Sequence, residues 1–234
     1  MSKMKIKTLI FLFSSLLVFN IQTVLSENSS PVLKSSADDS SMTTEEILDR
    51  IEDRYARVGF TADFFQKSTI HAMHLTDTAC GTAFFKHPGM MRWEYEKPDK
   101  QSIITDGKQL WIYKPEDNQV MIGKAPFYFG SGKGASFLAD IKIMRKNFSI
   151  SLEKDDKDNF YLLKLLPKEK KFDLAVIYLS VSKKDFTVFQ IVTYNSYDDK
   201  TLIILSNLQF KQKMEDSLFS FKMPEGADIL KIDQ

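Results

Sequence analysis

The sequence predicts an α+β fold: one long antiparallel β-sheet served by two short helices. Three observations predict it. Residues 81–124 read as about five short strands in succession. They are separated by His87-Pro88-Gly89, Lys97-Pro98-Asp99, Asp106-Gly107 and Lys114-Pro115-Glu116-Asp117-Asn118, which are residues that tight turns use. Within this run, residues 90–97 alternate: Met91, Trp93 and Tyr95 on one side, Arg92, Glu94 and Glu96 on the other. Side chains alternate across a strand, so one face of the sheet is apolar and the other charged. Apolar residues recur at helical spacing in two places, residues 43–58 and 135–146. A sheet with one dry face must have that face covered, and these helices are available to cover it.

In chain order, residues 1–26 open with three lysines and no acid, then run apolar from Thr8 to Val24. Val24-Leu25-Ser26 suits cleavage after Ser26, so a secretory signal peptide is expected. Ser14, Ser15, Asn20 and Gln22 interrupt the apolar run, which argues against a membrane anchor. Residues 27–42 are rich in Ser and poor in large apolar residues. They cannot bury enough surface to offset their ordering entropy and are expected to form a flexible leader. The remaining 43–234 is expected to be one domain.

Thr43-x-x-Glu46 is a capping box. Ile47, Leu48, Ile51, Tyr55 and Val58 follow as an apolar stripe that Gly59 ends. Residues 60–71 predict a long strand with Phe60, Ala62 and Phe64 on one face. After 81–124, Gly130, Gly132 and Gly134 mark a loop. Phe137, Leu138, Ile141 and Met144 then stand at helical spacing. Strands are expected at 148–152, 160–166, 174–181, 187–194 and 201–210, with a last one at 218–221. Short polar turns between them mean an antiparallel meander, not βαβ units.

Composition excludes several functions. Cleavage after Ser26 would leave 29 basic against 31 acidic residues, a net charge of −2, without the clustered basic face that nucleic acid requires. The single cysteine, Cys80, allows no disulfide framework and no lipid attachment next to the signal. Gly130-Ser131-Gly132-Lys133-Gly134 superficially resembles a phosphate loop, but Phe127 stands where the first glycine belongs and Gly134 where Ser or Thr belongs. His71 and His74, three apart on an expected strand, would face opposite ways and share no metal. Glu94 and Glu96 sit with Arg92 on a face expected to be solvated, not as an acid/base pair. No nucleophile, base and oxyanion site assembles, so neither an enzyme nor a cofactor is expected.

The chain resembles the LolA family of periplasmic outer-membrane lipoprotein carriers. The resemblance rests on Phe60-Thr-Ala-Asp-Phe64-Phe-Gln66, residues 81–88, and Met91-Arg-Trp-Glu-Tyr95 with Pro98. It continues through Asp106-Gly107-Lys108-Gln109-Leu110-Trp111-Ile112-Tyr113-x-Pro115 and Phe219-Ser-Phe221-Lys-Met-Pro224-Glu-Gly226. It implies an unclosed antiparallel β-barrel, a half-barrel, with short helices forming a lid over the concave apolar face. By the same resemblance Phe64, Phe85, Met91, Trp93 and Tyr95 would line a lipid-binding cavity, and Phe137, Leu138 and Ile141 would belong to the lid. The implied function is a monomeric periplasmic chaperone that binds lipoprotein acyl chains and carries lipoproteins from the inner to the outer membrane. The implied partners are an inner-membrane ABC-type transporter that loads it and an outer-membrane acceptor that unloads it.

In one respect the chain departs from the family. Many members have an arginine that ties the lid shut directly before the proline ending the second strand; here that residue is His87. His87 is therefore the expected lid latch, bonding a carbonyl of the lid or of the C-terminal segment. Three rival readings remain. A periplasmic lipid or lipoprotein sensor of the same fold would be expected to carry a second domain. An enzyme would need polar groups converging in the cavity. A structural β-domain would leave the aromatic load and the glycine-rich loop before an apolar helix without a purpose.

Overall fold

The computed structural model describes residues 42–56, 58–126, 133–153, 159–169, 173–211 and 213–232. The expected signal peptide and the leader up to residue 41 lie outside the described residues. No helix among the described residues is long and apolar enough to cross a membrane.

Helix α1, Thr44–Tyr55, begins at the capping box: the Glu46 N–H donates to Thr43 Oγ1 at 3.3 Å and the Thr43 N–H to Glu46 Oε2 at 2.8 Å. These Thr43 hydrogen bonds, backbone first, lower the Glu46 carboxyl below its ordinary range. Ile47, Leu48, Ile51 and Tyr55 form its buried stripe. Val58 and Gly59 lie past its end.

Twelve strands follow among the described residues. They are β1 (Gly59–Ile70), β2 (Leu75–Lys86), β3 (Met90–Lys97), β4 (Gln101–Asp106), β5 (Gln109–Lys114), β6 (Gln119–Lys124), β7 (Phe148–Glu153), β8 (Phe160–Pro167), β9 (Val176–Ser182), β10 (Val188–Tyr194), β11 (Lys200–Lys211) and β12 (Asp228–Lys231). They form one sheet in the order β12-β6-β5-β4-β3-β2-β1-β11-β10-β9-β8-β7. The ends of that order, β12 and β7, do not pair with each other, so the barrel is unclosed. Every pairing is antiparallel except β12 with β6.

The two β-halves are consecutive meanders joined where β1 pairs β11, at opposite ends of the chain. Between them lie a 3-10 segment, Lys133–Leu138, and a one-and-a-half-turn helix α2, Lys142–Asn147. The continuous helix expected at 135–146 is therefore broken. Ala139 to Ile141 turns the chain, with the Ala139 N–H on Ser136 O and the Asp140 N–H on Phe137 O, both i to i−3 bonds.

Two expectations about the C-terminus are corrected. Residues 218–221 are not a strand: Asp216–Phe219 is a 3-10 turn. The last strand is β12, beyond the turn at Pro224-Glu225-Gly226. Residues 213–227 run as a strap over the outer face of the first meander. The Lys86 ammonium binds Asp216, and Arg92 Nη1 donates to Leu218 O at 3.1 Å. The Phe221 ring lies 6.2 Å from Trp111 and 5.6 Å from Tyr113. The outer row Phe84, Arg92, Ile104, Trp111 is thus partly covered, and Ile104 and Phe219 are buried. The charged face of β3, expected to be solvated, is half-buried at Arg92 and Glu94 and exposed at Glu96.

Candidate functional site

The concave face is built from three cross-strand rows. Phe60 pairs with Phe85, which pairs with Met91; Ala62 with Ala83 and Trp93; Phe64 with Gly81 and Tyr95. Because β2 contributes Ala79, Gly81 and Ala83, large side chains from β1 and β3 meet above it. The Phe64 ring lies 4.8 Å from Trp93 and 4.9 Å from Tyr95, edge to face. Phe60 stacks on Phe85 at 4.5 Å, and Phe85 meets Trp93 at 5.4 Å. Phe60, Phe64, Phe85, Met91 and Trp93 are buried, while Tyr95 is half-buried. Gly81 admits no side chain, since a Cβ there would stand 1.8 Å from Glu94 O.

Two segments stand at this face or its rim, α1 and residues 133–147. Tyr55 of α1 packs edge-on against Phe60 at 5.1 Å, and its hydroxyl accepts the Val188 N–H at 2.8 Å. Phe137, Leu138, Ile141 and Met144 are all buried. The Gly89 N–H in the β2–β3 turn donates to Ala139 O at 3.0 Å. The two segments are also joined, through Arg145 of α2 to Glu45, Asp49 and Glu52 on one side of α1.

His87 stands just past the end of β2. Among the described residues the His87 ring donates to no carbonyl; the Ala139 carbonyl accepts from the Gly89 N–H. The ring instead faces an acid. His87 Nδ1 lies 3.9 Å from Asp140 Oδ1, which is buried and accepts no hydrogen bond. Arg92 points to the outer face, as its alternation requires.

At the other end of the rows the wall turns polar. The Tyr95 hydroxyl donates to Gln66 Oε1 at 3.1 Å, and Gln66 Nε2 donates to Ser68 Oγ at 3.2 Å. Burial pushes the Tyr95 phenol far above its ordinary range, so it stays a neutral donor. Gln66 is 4% exposed. Sequence reading missed it as a site residue, although it occupies the next place in the row Phe60, Ala62, Phe64. It also missed Asp140, the one acid in the apolar run 135–141.

No group of three or more His, Cys, Asp or Glu among the described residues could hold a metal. His71 and His74 lie in the β1–β2 turn, their rings 6.3 Å apart. Cys80 is a half-buried free thiol.

Among the described residues the arrangement is a buried apolar wall beside two segments joined through Arg145, with no reacting groups gathered on it. Comparison with known proteins finds the family model described as outer membrane lipoprotein carrier protein LolA, matching residues 57–222. An outer-membrane lipoprotein carrier protein of Nitrosomonas europaea is 30% identical over 172 residues, 74% of this chain and 82% of that protein. One from Neisseria meningitidis is 26% identical, covering 74% of this chain and 80% of the relative. In fold, the chain is similar to the crystal structure of an uncharacterized conserved protein from Thermus thermophilus. That match has a TM-score of 0.51 at 16% identity, over 80% of this chain and 98% of the other.

Proposed function

Because the chain belongs to the LolA family of outer membrane lipoprotein carrier proteins, we propose that its concave face takes up the acyl chains of a lipoprotein and shields them in transit across the periplasm. Phe64, Phe85, Met91, Trp93 and Tyr95 are the wall against which the chains lie. Phe137, Leu138 and Ile141 are the cover they displace, and His87 with Asp140 is its latch. The signal peptide at residues 1–26 would deliver the protein to that compartment. An inner-membrane ABC-type transporter would load it, and an outer-membrane acceptor would unload it.

The observation that supports this most is an aromatic wall buried against α1, beside a segment whose Phe137, Leu138, Ile141 and Met144 are all buried. Burying a Phe, Leu or Ile side chain contributes roughly 1.5–3 kcal/mol. The Gly89–Ala139 hydrogen bond contributes about 0.5–1.5 kcal/mol. Apolar contact therefore holds the lid, and an acyl chain can replace that contact methylene for methylene at about 0.8 kcal/mol each. A lid sealed by many polar ties would give nothing back when a lipid enters. A permanently open trough would expose an apolar patch that associates indiscriminately.

The test is photo-crosslinking in cells. Crosslinkers at Met91 and Trp93 are expected to capture lipoprotein through its acyl chains, whereas one at exposed Glu96 is not. Equal capture from both faces removes the proposal.

A further inference from the structure

We propose that Gln66, braced by Tyr95, is where the concave face reads the carbonyl oxygen of an acyl ester. The site would then select ester-linked lipid over plain hydrocarbon and bind it in one direction. This rests on the carrier reading and adds a polar subsite to it.

Gln66 is a primary amide on an otherwise apolar row, with 4% of its surface exposed. An amide in such a place is costly unless hydrogen-bonded. The fold has a cheaper alternative: a leucine would continue the row Phe60, Ala62, Phe64. The amide is only partly engaged. Its oxygen accepts from the Tyr95 hydroxyl and its nitrogen donates to Ser68 Oγ. A primary amide carries two N–H donors, and the second has no acceptor among the described residues. A lipid ester supplies acceptors and no donors, so a spare N–H is the complement it needs.

The location gives the site a direction. From Gln66 to Phe60 is six residues of strand, about 20 Å of wall, and that wall is lined by Phe64, Ala62 and Phe60. The far end lies under Tyr55 of α1. Beyond Gln66 the strand becomes polar, with Ser68 Oγ at 3.4 Å from Thr201 Oγ1 and Thr69 Oγ1 at 3.1 Å from Thr76 Oγ1. An ester at Gln66 would therefore leave its polar head at the Ser68 end and send its hydrocarbon under the helices. Tyr95 reaches Gln66 across β2 because Ala79 and Gly81 leave the space between them open.

Two synthetic lipopeptides isolate the carbonyls. One carries S-[2,3-bis(hexadecanoyloxy)propyl]cysteine; the other carries the bis(hexadecyloxy) ether, with the same chains and no carbonyl oxygens. Their affinities are read by displacement of an apolar fluorescent dye. The wild-type protein is expected to prefer the ester by about fivefold, the effect of one neutral hydrogen bond. Gln66→Leu is expected to bind both at the ether's affinity. Gln66→Asn, a milder change with a shorter reach, is expected to lose most of the preference, with circular dichroism confirming the fold of each. Equal binding of ester and ether by the wild type overturns the inference, as does a preference that survives both substitutions. Failure of both lipopeptides to displace dye overturns the carrier reading and this inference with it.

Discussion

His87 and Asp140 meet where the β2–β3 turn touches the lid segment, each partly exposed, with Nδ1 and Oδ1 3.9 Å apart. Partly exposed pairs contribute at most about 1 kcal/mol. If the pair latches the lid, His87→Leu and Asp140→Asn are each expected to speed stopped-flow dye uptake by about two- to fivefold. Uptake unchanged in both variants would remove the latch. A second residue-scale prediction concerns Gly81. Because a Cβ would meet the Glu94 carbonyl at 1.8 Å, Gly81→Ala must push β2 and β3 apart. It is expected to cost about 1–3 kcal/mol or more, measured by urea denaturation.

Among the elements, the strap between β11 and β12 has no counterpart in the expected half-barrel with its lid. It covers part of the outer face of β2 to β5 while the helices stand on the inner one, so the first meander is packed on both sides, with Ile104 buried on the outer one. Phe219 is its anchor, fully buried. Truncating a buried phenylalanine removes its transfer free energy and leaves a cavity, so Phe219→Ala is expected to cost about 3–5 kcal/mol. If the strap is only a staple, dye uptake per folded molecule should be unchanged in that variant. A changed uptake rate would mean that the strap helps set lid opening. The two inner covers are also coupled, since Arg145 of α2 reaches three acids spaced along one side of α1.

On the scale of the molecule, the concave wall is filled by Tyr55 and by its own aromatic rings, so under the proposed function loading must move a cover. The Gly89 amide reports that movement, because its hydrogen bond crosses from the sheet rim to the lid at Ala139. Native-state hydrogen exchange is expected to show this amide protected in the unliganded protein, with protection lost when a diacyl lipopeptide binds. Protection that persists in the loaded protein would mean that the chains enter elsewhere, between α1 and the second meander.

Periodicity and local chemistry made much of this legible. The alternation of Met91, Trp93 and Tyr95 against Arg92, Glu94 and Glu96 assigns faces from the backbone's own period of two. The Thr43–Glu46 box marks a helix start because both partners lie within one turn. The turn residues of 81–124 place β2 to β6 closely for the same reason. What sequence could not decide is what comes together from far apart. Nothing local says that Asp140 comes to face His87, that Tyr95 reaches over β2 to Gln66, or that residues 213–227 lie on Arg92 and Trp111. Residues 218–221 read locally as a strand, yet Asp216–Phe219 is a 3-10 turn that buries Phe219 at the sheet's outer face, where β3 and β4 provide the surface. Local rules act through bonds a few residues long and can be read in order. Contacts between segments far apart along the chain are chosen by the packing of the whole sheet, and only the folded molecule reveals them.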